Sequence, residues 1–140
     1  MHSPILAPIV ALVAWSLIMQ IWLYATRIPA MKAARIRLDP TVPPGELTSK
    51  LPPNVRWKAD NYNHLMEQPT IFYAVALALA LMDFGGGLNL ILAWAYVVLR
   101  IVHSLVQATT NRIMVRFSVF MLASLCLVAL TVHAAIRLIA

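Results

Sequence analysis

The sequence predicts an all-α integral membrane protein, a four-helix bundle. Three observations carry this. Hydrophobic residues make up 61% of the 140-residue chain, against about 45–50% apolar residues in soluble domains. The mean hydropathy is +0.79. The apolar residues gather into four runs, 5–24, 65–84, 88–106 and 113–138, and about 20 such residues cross a hydrocarbon core of about 30 Å. The runs and one longer loop use up the chain. A single domain over 1–140 is therefore expected, with spans near 5–28, 60–84, 88–107 and 112–138 and a loop over 29–59.

The first run follows Pro4 and surrounds Pro8. It is expected to stay as a span and not to be a cleaved signal peptide. No Lys or Arg precedes it, it is longer than an h-region, and its basic residues follow it. The loop contains "LDPTVPPGELTSKLPPN", with two Pro-Pro pairs. Proline removes a donor and restricts the residue before it, so this segment reads as extended. A plain spacer and a flap over the bundle mouth both fit it.

The second helix is expected to begin polar, with "ADNYNHLMEQPTIFY". At 3.6 residues per turn, Asp60, Asn63 or His64, and Glu67 share a face. Pro69 stands close behind Glu67 and should perturb the helix there, freeing backbone carbonyls. The run ends at "DFGGG", 83–87, a tight turn whose first three letters match a kinase motif without any kinase context.

The third helix places Arg100, His103 and Gln107 on one face of "VVLRIVHSLVQ". Asn111 is expected to cap the fourth helix, with Arg112 and Arg116 sharing a face of its first turns. Arginine near a helix N-terminus opposes the macrodipole. A positive-inside bias accounts for Arg112, while Arg116 lies deeper and needs another reason.

Orientation follows from the basic residues. Arg27, Lys32, Arg35, Arg37, Lys50, Arg56 and Lys58 lie between the first two spans, Arg112 and Arg116 follow the third, and only Arg137 lies at the opposite side. The long loop and the third connection should therefore be cytoplasmic, and both termini extracytoplasmic.

Several function classes are set aside. The net charge is +6, but the basic residues flank apolar runs and do not alternate with aromatics on a polar face, so nucleic acid is not an expected partner. The lone cysteine, Cys126, supports neither an internal disulfide nor a Cys-rich metal site. No His-x-x-x-His or Glu-x-x-His pair suggests a metal. No Gly-rich phosphate loop or Ser-centred elbow is present. No inverted repeat suggests a transporter.

Glu67, Arg100, His103 and Arg116 remain, all expected at the cytoplasmic ends of their helices. A charged group within a span costs at least about 2.5–3.5 kcal/mol, so it faces the bundle or a wet cavity. Glu67 and Arg100 could pair as interhelical glue and His103 could be a core histidine. The alternative is one buried polar site, which their similar depth favours.

The pieces "NHLMEQPTIFYA" and "RIVHSLVQATTNRIMVR" resemble the membrane-associated proteins in eicosanoid and glutathione metabolism, the MAPEG family. The resemblance covers nearly the whole chain and is to a bacterial-type, microsomal glutathione transferase-like member. The family pattern is a helix-two Asn-x-x-Glu and an Arg-x-x-His, with an arginine thirteen residues after the histidine. Glu67, Arg100, His103 and Arg116 match at that spacing. The resemblance implies a four-helix protomer in a homotrimer, with glutathione as cofactor between subunits near the cytoplasmic face. It implies that Glu67 meets the tripeptide's amino group, that His103 contacts glutathione and that Arg116 stabilises the thiolate. It also implies an arginine from the end of helix one, Arg35 or Arg37. Asn63, His64 and Arg100 complete the expected binding set.

Four positions depart from the pattern. The family asparagine is His64, with Asn63 beside it; the family tyrosine one turn after the histidine is Gln107. Phe117 and Phe120 stand where the prostaglandin synthase offers Ser and Tyr. Eicosanoid-synthase chemistry is therefore not implied. The expected function is a glutathione-dependent transferase or peroxidase for hydrophobic electrophiles, or else a non-catalytic protein that binds lipid or recruits a partner. The expected partners are the bilayer, further copies of the chain, and a hydrophobic small molecule or lipid.

The residues alone support the same chemistry. Glutathione carries two carboxylates, an ammonium and a thiol with an ordinary pKa of about 8.5. Nearby positive charge favours the thiolate, arginine forks onto carboxylates, and one acid meets the ammonium.

Overall fold

A computed structural model describes residues 1–140. The chain forms six helices: α1 Leu6–Ala33, α2 Pro44–Thr48, α3 Pro53–Leu65, α4 Gln68–Leu81, α5 Gly87–Thr109 and α6 Ile113–Ile139. Four segments are long and apolar enough to cross a membrane: α1, the α3–α4 segment Pro53–Leu81, α5 and α6. The protein is an all-α, multi-pass integral membrane protein.

The span boundaries differ from the sequence reading in two places. Helix α1 runs to Ala33, through Pro29. At 1.5 Å per residue its length is about 42 Å, longer than a hydrocarbon core of about 30 Å. It is therefore longer than one perpendicular crossing requires. It closes with two backbone bonds, Arg35 N–H to the Lys32 carbonyl and Ile36 N–H to the Met31 carbonyl, both 3.2 Å. Arg35 takes φ of +51° to make them, where glycine is the usual residue. A non-glycine side chain there costs about 1–2 kcal/mol.

The second difference is in the second span. It begins at Pro53, inside the expected loop, and it breaks at Met66–Glu67. Pro69 is the cause. Its ring lacks an N–H and clashes with the carbonyl four residues earlier. The chain tightens instead: Met66 N–H bonds the Asn63 carbonyl at 3.0 Å and Glu67 N–H bonds the His64 carbonyl at 3.2 Å. Part of the Pro-rich loop is also helical, as α2, with Pro44 in its first turn.

The bundle packs most extensively along α5 and α6. Small residues let the backbones approach: Ala76 on α4, Ala93 on α5 and Ala123 on α6 are fully buried. Leu12, Phe72, Leu79, Tyr96 and Leu130 fill the space between them. Phe72 and Tyr96 stack with centroids 4.5 Å apart. The Tyr96 hydroxyl donates to Gln68 Oε1 at 3.1 Å, and Gln68 Nε2 donates to Ser124 Oγ at 2.9 Å. This chain joins α4, α5 and α6 through groups that lipid could not satisfy. The outer faces are apolar, with Ile21, Ile71, Ile91 and Leu125 exposed. At the turn between α4 and α5, a side chain on Gly85 would collide with Ser3 and Ile5, so glycine lets the N-terminal segment pack there.

Candidate functional site

One end of the bundle gathers the polar residues of three spans. The break before α4 sets Glu67 at the mouth, while His64 remains on the last turn of α3. His103 and Gln107 come from the buried face of α5, and Arg116 comes from the first turn of α6. Together with Asp60 and Asn63 they line a cavity of about 470 Å³. Ile113, Phe117 and Phe120 form its apolar wall.

The side chains are ordered by contacts of three kinds. His64 Nδ1 and Glu67 Oε2 lie 3.0 Å apart. The ring of His64 packs between His103, with centroids 4.9 Å apart, and Phe120, at 5.3 Å. Arg116 Nη1 donates to Asn111 Oδ1 at 2.8 Å. One guanidinium has five N–H donors, so most of those on Arg116 remain for a ligand. Asn111 does not cap α6 as the sequence reading expects. It ends α5 with φ of +51°, and no side chain caps the first turn of α6. Its carboxamide instead aims Arg116.

Arg100 sits behind the cavity and does not line it. It is 0% exposed, and its Nη2 donates to the His64 carbonyl at 3.3 Å. That carbonyl lies in the stretch where the Pro69 break interrupts helical bonding. The guanidinium also lies over Phe120, 5.8 Å from the ring centroid. Glu67 does not pair with it; its partner is the His64 ring. Arg100 Nε and Nη1, His103 Nδ1 and Gln107 Oε1 are buried without hydrogen-bond partners.

Arg35 and Arg37 stand apart from this cavity. They line another of about 480 Å³, with Asp39, Glu46 and Lys50. Within the chain the sequence-predicted set therefore divides three ways. Asn63, His64, Glu67, His103 and Arg116 line the cavity, Arg100 supports it, and Arg35 and Arg37 lie elsewhere.

Sequence reasoning left Asp60, Gln107 and Phe120 out of the expected site, although each lines it. Asp60 was legible as a face-mate of Glu67, and Gln107 as a face-mate of His103. Phe120 reaches the cavity because it stands one helical turn after Arg116.

These features define a class: a four-span membrane protein with a polar, two-signed pocket at one end of its bundle. The chain matches the MAPEG family model over residues 5–136, and it belongs to the MAPEG family. No curated protein and no solved structure matches it.

Proposed function

We propose that this protein is a glutathione-dependent membrane transferase or peroxidase for hydrophobic electrophiles, of the microsomal, bacterial type. The observation that carries this is the pairing of opposite charges around one cavity: Glu67 and Asp60 against Arg116, beside an apolar wall of Ile113, Phe117 and Phe120. Glutathione needs both signs. Glu67 has one carboxylate oxygen bonded to His64 and a second that suits the ligand's ammonium. Arg116 suits the thiolate, because guanidinium stays charged and favours the ionised sulfur. His103, Asn63 and Gln107 supply neutral polar contacts. The electrophile arrives from the lipid side along the phenylalanine wall.

The cytoplasmic placement of this end rests on the positive-inside bias of Arg27 to Lys58, with both termini outside. A homotrimer with the cavity at a subunit boundary fits the separation of Arg35 and Arg37 from the cavity of their own protomer. A neighbour's arginine would then complete the carboxylate contacts. The second reading, a lipid-binding or partner-recruiting protein without chemistry, draws on Gln107, Phe117 and Phe120 in place of the family's polar residues.

Isothermal titration with glutathione, paired with turnover of a model electrophile, tests the proposal. Wild type should bind and turn over. Glu67→Gln should bind about 10–100-fold more weakly, since a hydrogen bond to a charged group is worth about 1.5–3 kcal/mol. Protein yield should change little. Binding without turnover would leave only the second reading. Native mass spectrometry in detergent should give trimers, and a mostly monomeric spectrum would remove the subunit-boundary site.

A further inference from the structure

We propose that His64 is the base that takes the proton from the bound thiol, with Glu67 as its orienting partner. The inference rests on the glutathione reading above and assigns the proton a destination within that site. His64 Nδ1 and Glu67 Oε2 are 3.0 Å apart. An ionised carboxylate only accepts, so the ring donates through Nδ1–H. In the neutral ring this leaves Nε2 as a free acceptor.

The ring is also held in place. His103 and Phe120 pack against it, and Arg100 bonds its backbone carbonyl. His64, Glu67 and Arg116 line the same cavity. An acceptor nitrogen, a carboxylate that orients it and a cation for the developing anion are what general-base activation of a nucleophile requires.

The charges around His64 are mixed: Glu67 favours an imidazolium there and the guanidinium groups of Arg100 and Arg116 oppose it, so the thiolate must supply the remaining counter-charge. Glu67 stands at the start of α4 and Asp60 one turn back on α3. Arg100 and His103 face it from α5, and Arg116 from α6. From α1, Arg27 lines the neighbouring cavity beyond Asp60 and Asn63. Proton transfer breaks the S–H bond and forms N–H at Nε2, while the electron pair stays on sulfur. The imidazolium then lies beside the Glu67 carboxylate and the thiolate beside Arg116. Two opposite charges arise together, and each meets a fixed counter-charge.

The same proton sets the substrate class. The thiolate adds to the β-carbon of an α,β-unsaturated carbonyl compound, and the pair of the former double bond takes the proton from Nε2 at the α-carbon. His64 returns to neutral, and no oxidant, reductant or leaving group is needed. A hydrophobic enone fits both this chemistry and the phenylalanine wall.

The test is calorimetry of glutathione binding in two buffers of different ionisation enthalpy, with thiolate absorbance read in parallel. It is run at about pH 8, where an ordinary imidazole of pKa about 6.5 is neutral. Wild type should release clearly less than one proton per thiolate formed, because the thiolate, once formed, holds the imidazolium of His64 beside it. His64→Gln, which preserves hydrogen bonding without basicity, should release one proton per thiolate or form no thiolate. It should also slow enone addition at least tenfold. A full proton released to buffer by wild type overturns the inference alone, and needs no variant to fold. Equal proton release and equal enone rates in wild type and His64→Gln overturn it as well. Absence of glutathione binding to wild type overturns the glutathione reading and this inference together.

Discussion

The two ends of the α5–α6 pair both carry a histidine and an asparagine, yet they are built differently. At the far end, His133 Nδ1 lies 2.6 Å from Asn89 Oδ1, and Asn89 Nδ2 donates to the Phe84 carbonyl at 2.9 Å. The amide nitrogen is committed to a carbonyl, so the amide oxygen accepts and His133 donates. Arg137 covers the Phe84 ring, 5.2 Å from its centroid. The cavity beside them, about 320 Å³, has Phe84, Leu88 and Ile136 in its walls. Each polar group of the Asn89–His133 link that the fold brings inward finds a protein partner.

At the near end several polar groups lack partners. His103 Nδ1, Gln107 Oε1 and two nitrogens of Arg100 are buried without partners, and such groups cost about 1–3 kcal/mol each. A closed hydrogen-bond set is a joint between helices. The near end instead has a cavity lined by both signs of charge, with unpaired polar atoms behind its lining. The contrast separates two uses of similar residues.

The largest expected effect breaks the contrast at its open end. Arg116→Ala should raise the bound thiol's pKa; a rise of about two units leaves about a hundredth of the thiolate at neutral pH. Steady-state rates with a model electrophile should fall about a hundredfold, and glutathione affinity should fall less. Arg116→Lys should retain part of the activity, because it keeps charge but loses the fork. Identical thiolate titrations in the three proteins would reduce Arg116 to an interfacial anchor.

A smaller effect is expected at the closed end. Asn89→Ala removes both bonds of one joint and should cost about 1–2 kcal/mol of stability, the range for interhelical hydrogen bonds in membranes. Reversible unfolding in detergent measures it. Glutathione affinity should be unchanged, and a coupled loss would mean that the two ends do not act separately.

The smallest effect lies in the loop before α2. The Thr41 hydroxyl and backbone N–H hold the Asp39 carboxyl below its ordinary value near 3.8. A depressed folded pKa adds stability above the unfolded value and loses it as pH falls through the folded one. The turn should therefore loosen only below about pH 4. Protease cleavage of the loop should be alike for wild type and Asp39→Asn below that range, and faster for the variant at neutral pH. A slow-cleaving variant would show that the turn does not depend on this carboxylate.

Composition and apolar run length determined the membrane class and the four spans, because burial in lipid imposes length and hydropathy on every crossing segment. Pro69 was equally legible: a residue without an N–H weakens the helix before it, and the break came at Glu67, whereas α1 continues through Pro29. The spacing of Arg100, His103 and Gln107 determined that they share a buried face. What they meet there was decided only by packing against other helices. Tertiary structure turned Asn111 from a cap into a brace for Arg116, and withdrew Arg100 from the cavity onto the His64 carbonyl. It joined His64 to Glu67 and left Arg35 and Arg37 beside a different cavity. Local sequence fixes which face of a helix is polar. Which donor meets which acceptor depends on the rotation and depth of neighbouring helices, and these are set by the whole bundle's packing.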